Sequence, residues 1–388
     1  GPANESYRRP GATGGLSRIE ARQTMTINDP ALQLLIDRVQ SAQSANAQLC
    51  IRGGGTKDFY GEVPQGDVLD TRVLEGISSY EPTELVITAR CGTGLAELEA
   101  TLAEQGQCLP FEPPHFGAGA TVGGMVAAGL SGPPRAAVGS VRDYVLGATL
   151  LNGRGEVLTF GGQVMKNVAG YDVSRLLAGS MGTLGVILEV SLKVLPAAPA
   201  TATLRFSMDE VQAIAQLNEW GGQALPINAS AWWDGTLVVR LRGALAAVQA
   251  AITKLGGELI EPQHATPFWA GLRHQHDEFF TKAAAAVEGG ARLWRLSVPP
   301  TTPPLALPGE QLVEWGGAQR WLCSAGPASL IRDAAARAGG HATLFRGKDK
   351  SAGAFAPLKA PLDRIHRELK KSFDPNGVFN PGRLYPGL

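Results

Sequence analysis

No charge of either sign predominates in this 388-residue sequence, where 35 Lys and Arg face 35 Asp and Glu. The balance builds no basic surface and removes nucleic acid as an expected partner. Cysteine is scarce: Cys50, Cys91, Cys108 and Cys323 stand apart, with no Cys-x-x-Cys pair. That spacing argues against a zinc site or an iron–sulfur cluster on this chain, and no metal is expected. It fits a reducing cytosol better than a disulfide scaffold. No apolar run approaches the length of a membrane-spanning helix, and no basic-then-apolar leader opens the sequence. Residues 1–24, with Tyr7-Arg8-Arg9-Pro10-Gly11 and no apolar period, read as vector remnant or a disordered arm, with native numbering expected from Met25. Two common phosphate-binding patterns are also missing: there is no Gly-x-x-x-x-Gly-Lys-Ser/Thr and no Gly-x-Gly-x-x-Gly leading into a helix.

What is abundant is glycine, and its placement is informative. Ile51-Arg52-Gly53-Gly54-Gly55-Thr56-Lys57-Asp58 puts three glycines directly after the apolar run Leu49-Cys50-Ile51. Glycine admits positive φ and lets a ligand press on bare backbone. Successive amides in such a turn converge on an anion, above all phosphate. Taken alone, an ordinary tight turn explains the triplet as well. A second small-residue region runs from Phe111-Glu112-Pro113-Pro114-His115-Phe116 through Gly117-Ala118-Gly119-Ala120-Thr121-Val122-Gly123-Gly124 to Gly129, followed by Gly139-Ser140-Val141-Arg142-Asp143. A third comprises Lys166-Asn167-Val168-Ala169-Gly170-Tyr171-Asp172 and Gly179-Ser180-Met181-Gly182-Thr183-Leu184-Gly185-Val186-Ile187. The tail reads Phe373-Asp374-Pro375-Asn376-Gly377-Val378-Phe379-Asn380-Pro381-Gly382-Arg383.

In order and spacing these segments resemble the FAD-binding domain of the vanillyl-alcohol oxidase / p-cresol methylhydroxylase (PCMH) family. The Lys-Asn-Val-x-Gly-Tyr-Asp run is most similar to the glycolate oxidase flavoproteins. The resemblance spans the chain from about Met25 to the C-terminus and is thin between Ala200 and Gly340. It implies an α+β fold, with a two-part PCMH-type FAD-binding domain and an α+β cap.

The pattern of elements is compatible. Asp29 and Pro30 open a helix whose Leu32, Leu35, Ile36 and Val39 share a face. Strands are expected at Leu49–Arg52, Val68–Asp70 and Leu85–Arg90, and a helix opened by Thr93 aligns Leu95, Leu98 and Leu102. Val145–Leu151 and Glu156–Phe160 read as a hairpin around Asn152-Gly153. The alternating run from Val186 to Val194 reads as a strand, and residues 196–200 as a linker. Beyond it the order strand 202–206, helix 208–220, strand 228–233, strand 236–241, helix 244–255 and strand 257–260 is the ferredoxin-like unit. A helix is expected over Pro267–Phe280 and a charged one over Pro361–Ser372. The domain bounds expected are 25–199 for the FAD-binding part and 200–355 for the cap, with 356–388 returning to the first domain after the 1–24 arm.

By the resemblance, Arg52, Gly53, Gly54, Gly55, Thr56, Lys57 and Asp58 would wrap the FAD pyrophosphate. Glu112, Pro113, Gly119, Ala120, Thr121, Gly123, Gly124 and Gly129 would line the flavin and ribityl chain, and Gly139, Ser140, Arg142 and Asp143 would continue that wall. Gly182, Gly185 and Ile187 would approach the adenine side, and Asn380 belongs to the closing motif. Gly123-Gly124 would serve close helix packing as well, Lys57 would equally be a solvated loop lysine, and Tyr171 and Asp172 would equally cap a helix. Some relatives tether their flavin through His or Cys near the pyrophosphate loop. Gly55–Phe59 contains neither, Cys50 reads as core, and His115 has no evident reach, so the FAD is expected to be non-covalent.

Oxidising a 2-hydroxy acid needs a base for the hydroxyl proton and a cation for the carboxylate. Related dehydrogenases carry a His-x-Gly-Asp-Gly-Asn-x-His run that is absent here. His274 and His276, within the expected helix, would face different ways and not share a metal. Arg295, His341 and Arg346 are the remaining candidates, each equally readable as a surface group, and Arg292 carries the same ambiguity. A short chain with the flavin motifs and no histidine motif is most similar to the FAD-binding subunits of glycolate oxidase. That implies a catalytic flavoprotein and an iron–sulfur subunit as partners, glycolate or a related 2-hydroxy acid at the level of the complex, and a cytoplasmic place, peripheral to the inner membrane through the complex. An FAD-holding scaffold and a free-standing 2-hydroxyacid dehydrogenase are the alternatives. The purified chain should be yellow, and acid precipitation should release its FAD to the supernatant. Colour retained in the pellet would contradict non-covalent binding.

Overall fold

A computed structural model describes residues 29–161 and 172–388. Lys166 to Tyr171 of the third motif, and the N-terminal arm, lie outside the described residues. Helix α1 (Pro30–Ser44) starts where the Asp29 carboxylate accepts from the amides of Ala31 and Leu32. Its Leu32, Leu35, Val39 and Ala42 are buried and pack in one cluster with Leu49, Leu69 and Leu188. Strands β1 (Leu49–Arg52) and β2 (Asp67–Asp70) pair in parallel. Then follow β3 (Ile77–Glu81), β4 (Val86–Arg90), α2 (Leu95–Glu104), β5 (Gln107–Cys108), α3 (Val122–Ala128), α4 (Arg135–Val138), β6 (Val145–Leu151), β7 (Val157–Gly161), α5 (Val173–Leu176), β8 (Val186–Lys193) and β9 (Leu195–Pro196). The five-stranded sheet runs β3-β4-β8-β6-β7, all antiparallel. Helices α2 and α3 cover it through Leu95, Leu98, Leu102, Val122 and Met125. Gly94, not Thr93, is the cap of α2. The Thr93 hydroxyl is taken up by the Gly76 backbone, accepting from its N–H and donating to its carbonyl.

The second sheet has eight strands. Its first half is β10 (Ala200–Ser207), α6 (Glu210–Gly221), β11 (Ile227–Trp233), β12 (Thr236–Gly243), α7 (Leu245–Leu255) and β13 (Glu258–Ile260). The spatial order β13-β10-β12-β11, antiparallel throughout, is the ferredoxin-like arrangement. Leu237, Val239 and Leu241 of β12 face α6 and α7. Two helices follow, α8 (Pro262–His274) and α9 (Glu278–Glu288), in place of the single helix expected over 267–280. Gln275 ends α8 in the left-handed region (φ 58°) and Asp277 caps α9. The remaining elements are β14 (Arg292–Ser297), β15 (Glu310–Glu314), β16 (Gln319–Ser324), α10 (Ala328–Arg337) and β17 (His341–Arg346). Their order β15-β16-β14-β17 repeats the first half in mirror sense, joined through β11 and β15. This second half was not expected, because residues 298–309 stand where the first crossover helix would be.

One face of the large sheet carries α6, α7 and α10. The other, with Ala229, Ala231, Leu312, Trp321 and Phe345, packs on α8, α9 and on Tyr60, Leu130 and Met181 of the first unit. Charged ties reinforce that contact. Glu112 pairs with Arg240 (2.7 Å) and Arg242 (3.3 Å), and Arg273 pairs with Glu99 at 2.5 Å while donating to the Pro113 carbonyl. Trp315 donates to the Gly132 carbonyl and Lys350 to those of Phe59 and Gly61. After α11 (Leu362–Phe373) the chain returns to β1: the Leu49 amide donates to Val378 O, and the Asn380 amide donates to Leu49 O.

Candidate functional site

A cleft opens at the C-terminal end of β1. It is walled by residues 51–58, Thr121, Gly123, Gly124, Gly182, Gly185, Ile187, Asn380 and Arg383. Residues from four separate sequence regions therefore converge there. Asn380 connects them: its Oδ1 accepts from the Ile51 amide at 2.7 Å and its Nδ2 donates to Met181 O at 2.6 Å. Arg383, buried, donates to the Lys57 carbonyl at 3.1 Å and to Glu62 O, so the tail fixes both ends of the glycine loop. Arg52 and Asp58 close the loop on itself through a 2.9 Å ion pair.

The glycines have different reasons for being there. Only Gly55 of the triplet takes positive φ (72°). Gly54 is required by approach instead, because a Cβ on it would stand 1.8 Å from the Gly119 carbonyl oxygen. Gly53 faces the Thr121 side chain at 2.6 Å, and Gly123 faces the Cys91 Cβ at 2.7 Å. Packing thus explains Gly123, while both Gly123 and Gly124 still line the cleft. At Gly182, φ is 71° and a Cβ would meet the Asn380 amide at 2.4 Å.

None of the amides from Gly53 to Lys57 donates to a protein acceptor among the described residues. Unpartnered amides crowded on a turn form an anion-binding concavity. Lys57 adds a cation that no carboxylate among the described residues pairs with. Its Nζ lies 5.9 Å from the Phe116 ring centroid, and burial pulls its pKa down to about 8. It is therefore not a solvated loop lysine. A row of free donors with a desolvated cation beside it suits the pyrophosphate of a dinucleotide, and glycine-lined walls suit flat groups above it. Cys91 also lines the cleft, but burial pushes its thiol up to about 12, which leaves it protonated and unreactive.

Several expected flavin contacts sit elsewhere. Glu112 and Pro113 are committed to Arg240, Arg242 and Arg273 of the cap. Gly129 ends α3 with φ 66° against Gly179. Gly139, Ser140 and Asp143 form a local turn in which Asp143 accepts from the Ser140 amide at 2.8 Å and pairs with Arg175, while Arg142 is exposed. Gly119 and Ala120 support the cleft from behind, through Gly54 and the buried core. Asp172 lies 3.7 Å from Arg175 and accepts from the Ser174 hydroxyl.

The catalytic candidates separate as well. Arg346 stacks on Phe59, its guanidinium carbon 3.5 Å from the ring centroid, and burial pulls its pKa down to about 10. Arg295 donates to the Tyr60 hydroxyl at 3.1 Å. His341 is exposed at the start of β17. Arg292 donates to Gly326 O. His274 Nδ1 accepts from the His115 amide at 3.1 Å, and burial together with Arg273 pulls its pKa down to about 4. The His115 ring pairs with Glu99. No group of three or more potential metal ligands occurs among the described residues. Sequence reading passed over Arg383, although it ends the tail motif, and it passed over Glu314, a lone acid in a strand with no accompanying signal.

Residues 33–161 match the family model described as FAD binding domain. Glycolate oxidase subunit GlcE of Escherichia coli (strain K12) is 49% identical over 356 residues, covering 92% of this chain and 98% of that protein. The chain belongs to the GlcE family. Glycolate oxidase subunit GlcD of Bacillus subtilis (strain 168) shares 30% identity over 167 residues, 42% of this chain and 35% of that protein. D-lactate dehydrogenase of Archaeoglobus fulgidus shares 35% over 158 residues, 40% and 35% respectively. Both lie well below GlcE in coverage. A solved alkyldihydroxyacetonephosphate synthase superposes with a TM-score of 0.61 at 16% identity, covering 90% of this chain and 74% of that one, which shows a shared α+β fold. Among the described residues no helix is long and apolar enough to cross a membrane.

Gly54 and Gly124 provide a paired test of this GlcE-family cleft. Gly54→Ala meets immovable backbone and should lower the melting temperature by several degrees. Gly124→Ala, whose Cβ meets only the Thr121 hydroxyl at 3.1 Å, should be near neutral because alanine also favours the helix. Equal melting temperatures for the two variants would contradict the close approach.

Proposed function

We propose that this chain is the FAD-binding subunit of a glycolate oxidase complex that converts glycolate to glyoxylate, and that it relays electrons from a catalytic flavoprotein to an iron–sulfur subunit. The observation that carries the assignment is the 49% identity to GlcE over 98% of that protein. The glycine cleft supplies the means. In this reading residues 25–199 and 356–388 hold the cofactor, and 200–355 cap it.

The amides of Gly53 to Lys57 would donate to the pyrophosphate oxygens, and the Lys57 ammonium would offset their charge, with no carboxylate among the described residues competing for it. Asn380 and Arg383 hold the loop in the shape that presents those donors. Thr121, Gly123 and Gly124 leave room for the ribityl chain and ring, and Gly182, Gly185 and Ile187 for the adenine side. The bound FAD would supply the redox chemistry that a relay needs, while the protein holds and orients it. Binding is non-covalent in this reading, since the thiol at the cleft is buried and protonated and no histidine among the described residues lines it. The complex places the subunit in the cytoplasm, peripheral to the inner membrane.

Relay is favoured over independent turnover because no histidine–metal motif accompanies the flavin site. General acid–base assistance contributes about 10²–10⁴-fold to such steps. Anaerobic mixing of the FAD-loaded chain with glycolate should leave the visible flavin band essentially unchanged over many turnover times of the complex. Adding the catalytic flavoprotein should then bleach it. Rapid bleaching of the isolated chain would replace the relay with a free-standing dehydrogenase. Turnover of the complete complex without any bleaching of this flavin would replace it with a scaffold.

A further inference from the structure

Strand β12 turns Leu237, Val239 and Leu241 toward α6 and α7, so alternation sets Arg240 and Arg242 on the opposite face, toward the FAD-binding unit. There they meet the end of α8, which brings Arg273 and His274. All four side chains gather on the short segment from Glu112 to His115. Arg240 Nη2 and Arg242 Nη1 donate to the same Glu112 oxygen, Oε2, at 2.7 and 3.3 Å. Arg273 Nε donates to the Pro113 carbonyl at 3.0 Å, and the His115 amide donates to His274 Nδ1 at 3.1 Å. At this junction lies a cavity of about 300 Å³ that shares no wall residue with the glycine cleft. The three guanidiniums, Glu112 and His274 line it together with the apolar groups of Ile260, Ala265, Trp269 and Ala270.

The ion pairs at the junction do not use up its positive charge. Three guanidiniums share two carboxylates, Glu112 and Glu99. Arg240 is 4% exposed, and its Nε is taken by Asn228 Oδ1 at 2.8 Å. Yet Nη1 of Arg240, Nη1 of Arg273 and both Nε and Nη2 of Arg242 have no acceptor among the described residues. His274 adds a donor. Burial, with the Arg273 charge, pulls its pKa down to about 4, so the ring is neutral near pH 7; with Nδ1 accepting, the proton is on Nε2. Glu112, the one carboxylate on the cavity, already accepts on both oxygens. The wall is rich in donors, poor in free acceptors and positively charged in a half-buried place, which is costly without an anion.

We propose that this cavity binds a phosphate monoester, with the phosphate on Arg242, Arg273 and the imidazole N–H of His274 and the short organic part against Trp269 and Ala270. A phosphate is favoured over a carboxylate because its terminal oxygens point in several directions and can use donors from separate side chains. A planar carboxylate is served by one guanidinium fork. An ester is favoured over free phosphate because the cavity has room beyond the anion and an apolar wall to receive what fills it. A ligand held there touches the Glu112 segment and α8 together, so it would clamp the cap onto the FAD-binding unit. The assignment concerns binding at this junction alone and stands whether or not the flavin relays electrons.

The test is calorimetric titration of the FAD-loaded full chain with glycerol 3-phosphate in a phosphate-free buffer near neutral pH, beside inorganic phosphate and succinate. One saturable site is expected for glycerol 3-phosphate, at least tenfold tighter than for succinate and tighter than for inorganic phosphate. Arg242→Met, which leaves Glu112 its pair with Arg240, should weaken glycerol 3-phosphate and inorganic phosphate at least tenfold while retaining its FAD and the melting temperature of the ligand-free protein. Ala270→Leu, which fills the cavity from α8, should weaken glycerol 3-phosphate at least tenfold and spare inorganic phosphate. No saturable binding of glycerol 3-phosphate, wild-type affinity for it in either variant, or succinate or inorganic phosphate binding as tightly would each overturn the proposal. So would binding only to the FAD-free chain, which would place the phosphate in the glycine cleft. Failure of the relay is read separately, since it depends on bleaching with the partner flavoprotein and not on ligand heat.

Discussion

One side-chain amide holds the site together. Asn380 accepts from the Ile51 amide and donates to the Met181 carbonyl, spanning sequence separations of 329 and 199 residues. Both backbone groups are at the edge of the cleft, where water is partly excluded, and an unmet buried donor or acceptor costs about 1–3 kcal/mol. Asn380 itself sits at φ 41°, a conformation asparagine tolerates better than most residues. The tail brings it there through paired backbone bonds between Leu49 and Val378–Asn380. The glycine loop is thus shaped by a segment 329 residues further along the sequence, so the anion-binding row depends on a contact that no local pattern specifies.

From that closure the remaining geometry follows. With β1 fixed, Gly54 lies against Gly119, Gly53 against Thr121 and Gly123 against Cys91, so the second small-residue region can stand only where it does. The segment leading into that region, Glu112 to Phe116, is gripped by the cap through Arg240, Arg242, Arg273 and His274. Cofactor floor and cap are therefore coupled through a few buried ionic contacts. The aromatic group of Phe59, Tyr60, Phe116 and Phe345 fills the space between them.

The glycine triplet, the small-residue region and the first ferredoxin-like half were legible because each leaves a local mark: a run of glycines, or apolar periodicity interrupted by turns. The second half of the large sheet was not. Residues 298–309 replace its first helix, so the repeat has no matching period. The break at Gln275 was hidden because nothing in that residue type signals a left-handed end to a helix. Glu112 stood within a flavin-like motif, yet its partners Arg240 and Arg242 are 128 and 130 residues away.

The central claim is that the Asn380-pinned row of amides from Gly53 to Lys57 is what holds FAD. Its most direct test is the FAD dissociation constant of Asn380→Ala, measured by flavin fluorescence on protein whose near-ultraviolet circular dichroism shows the fold intact. The account predicts a folded protein that binds FAD at least about tenfold more weakly, as expected from leaving the Ile51 amide and the Met181 carbonyl unmet. A folded Asn380→Ala protein with the affinity of the wild type would contradict it.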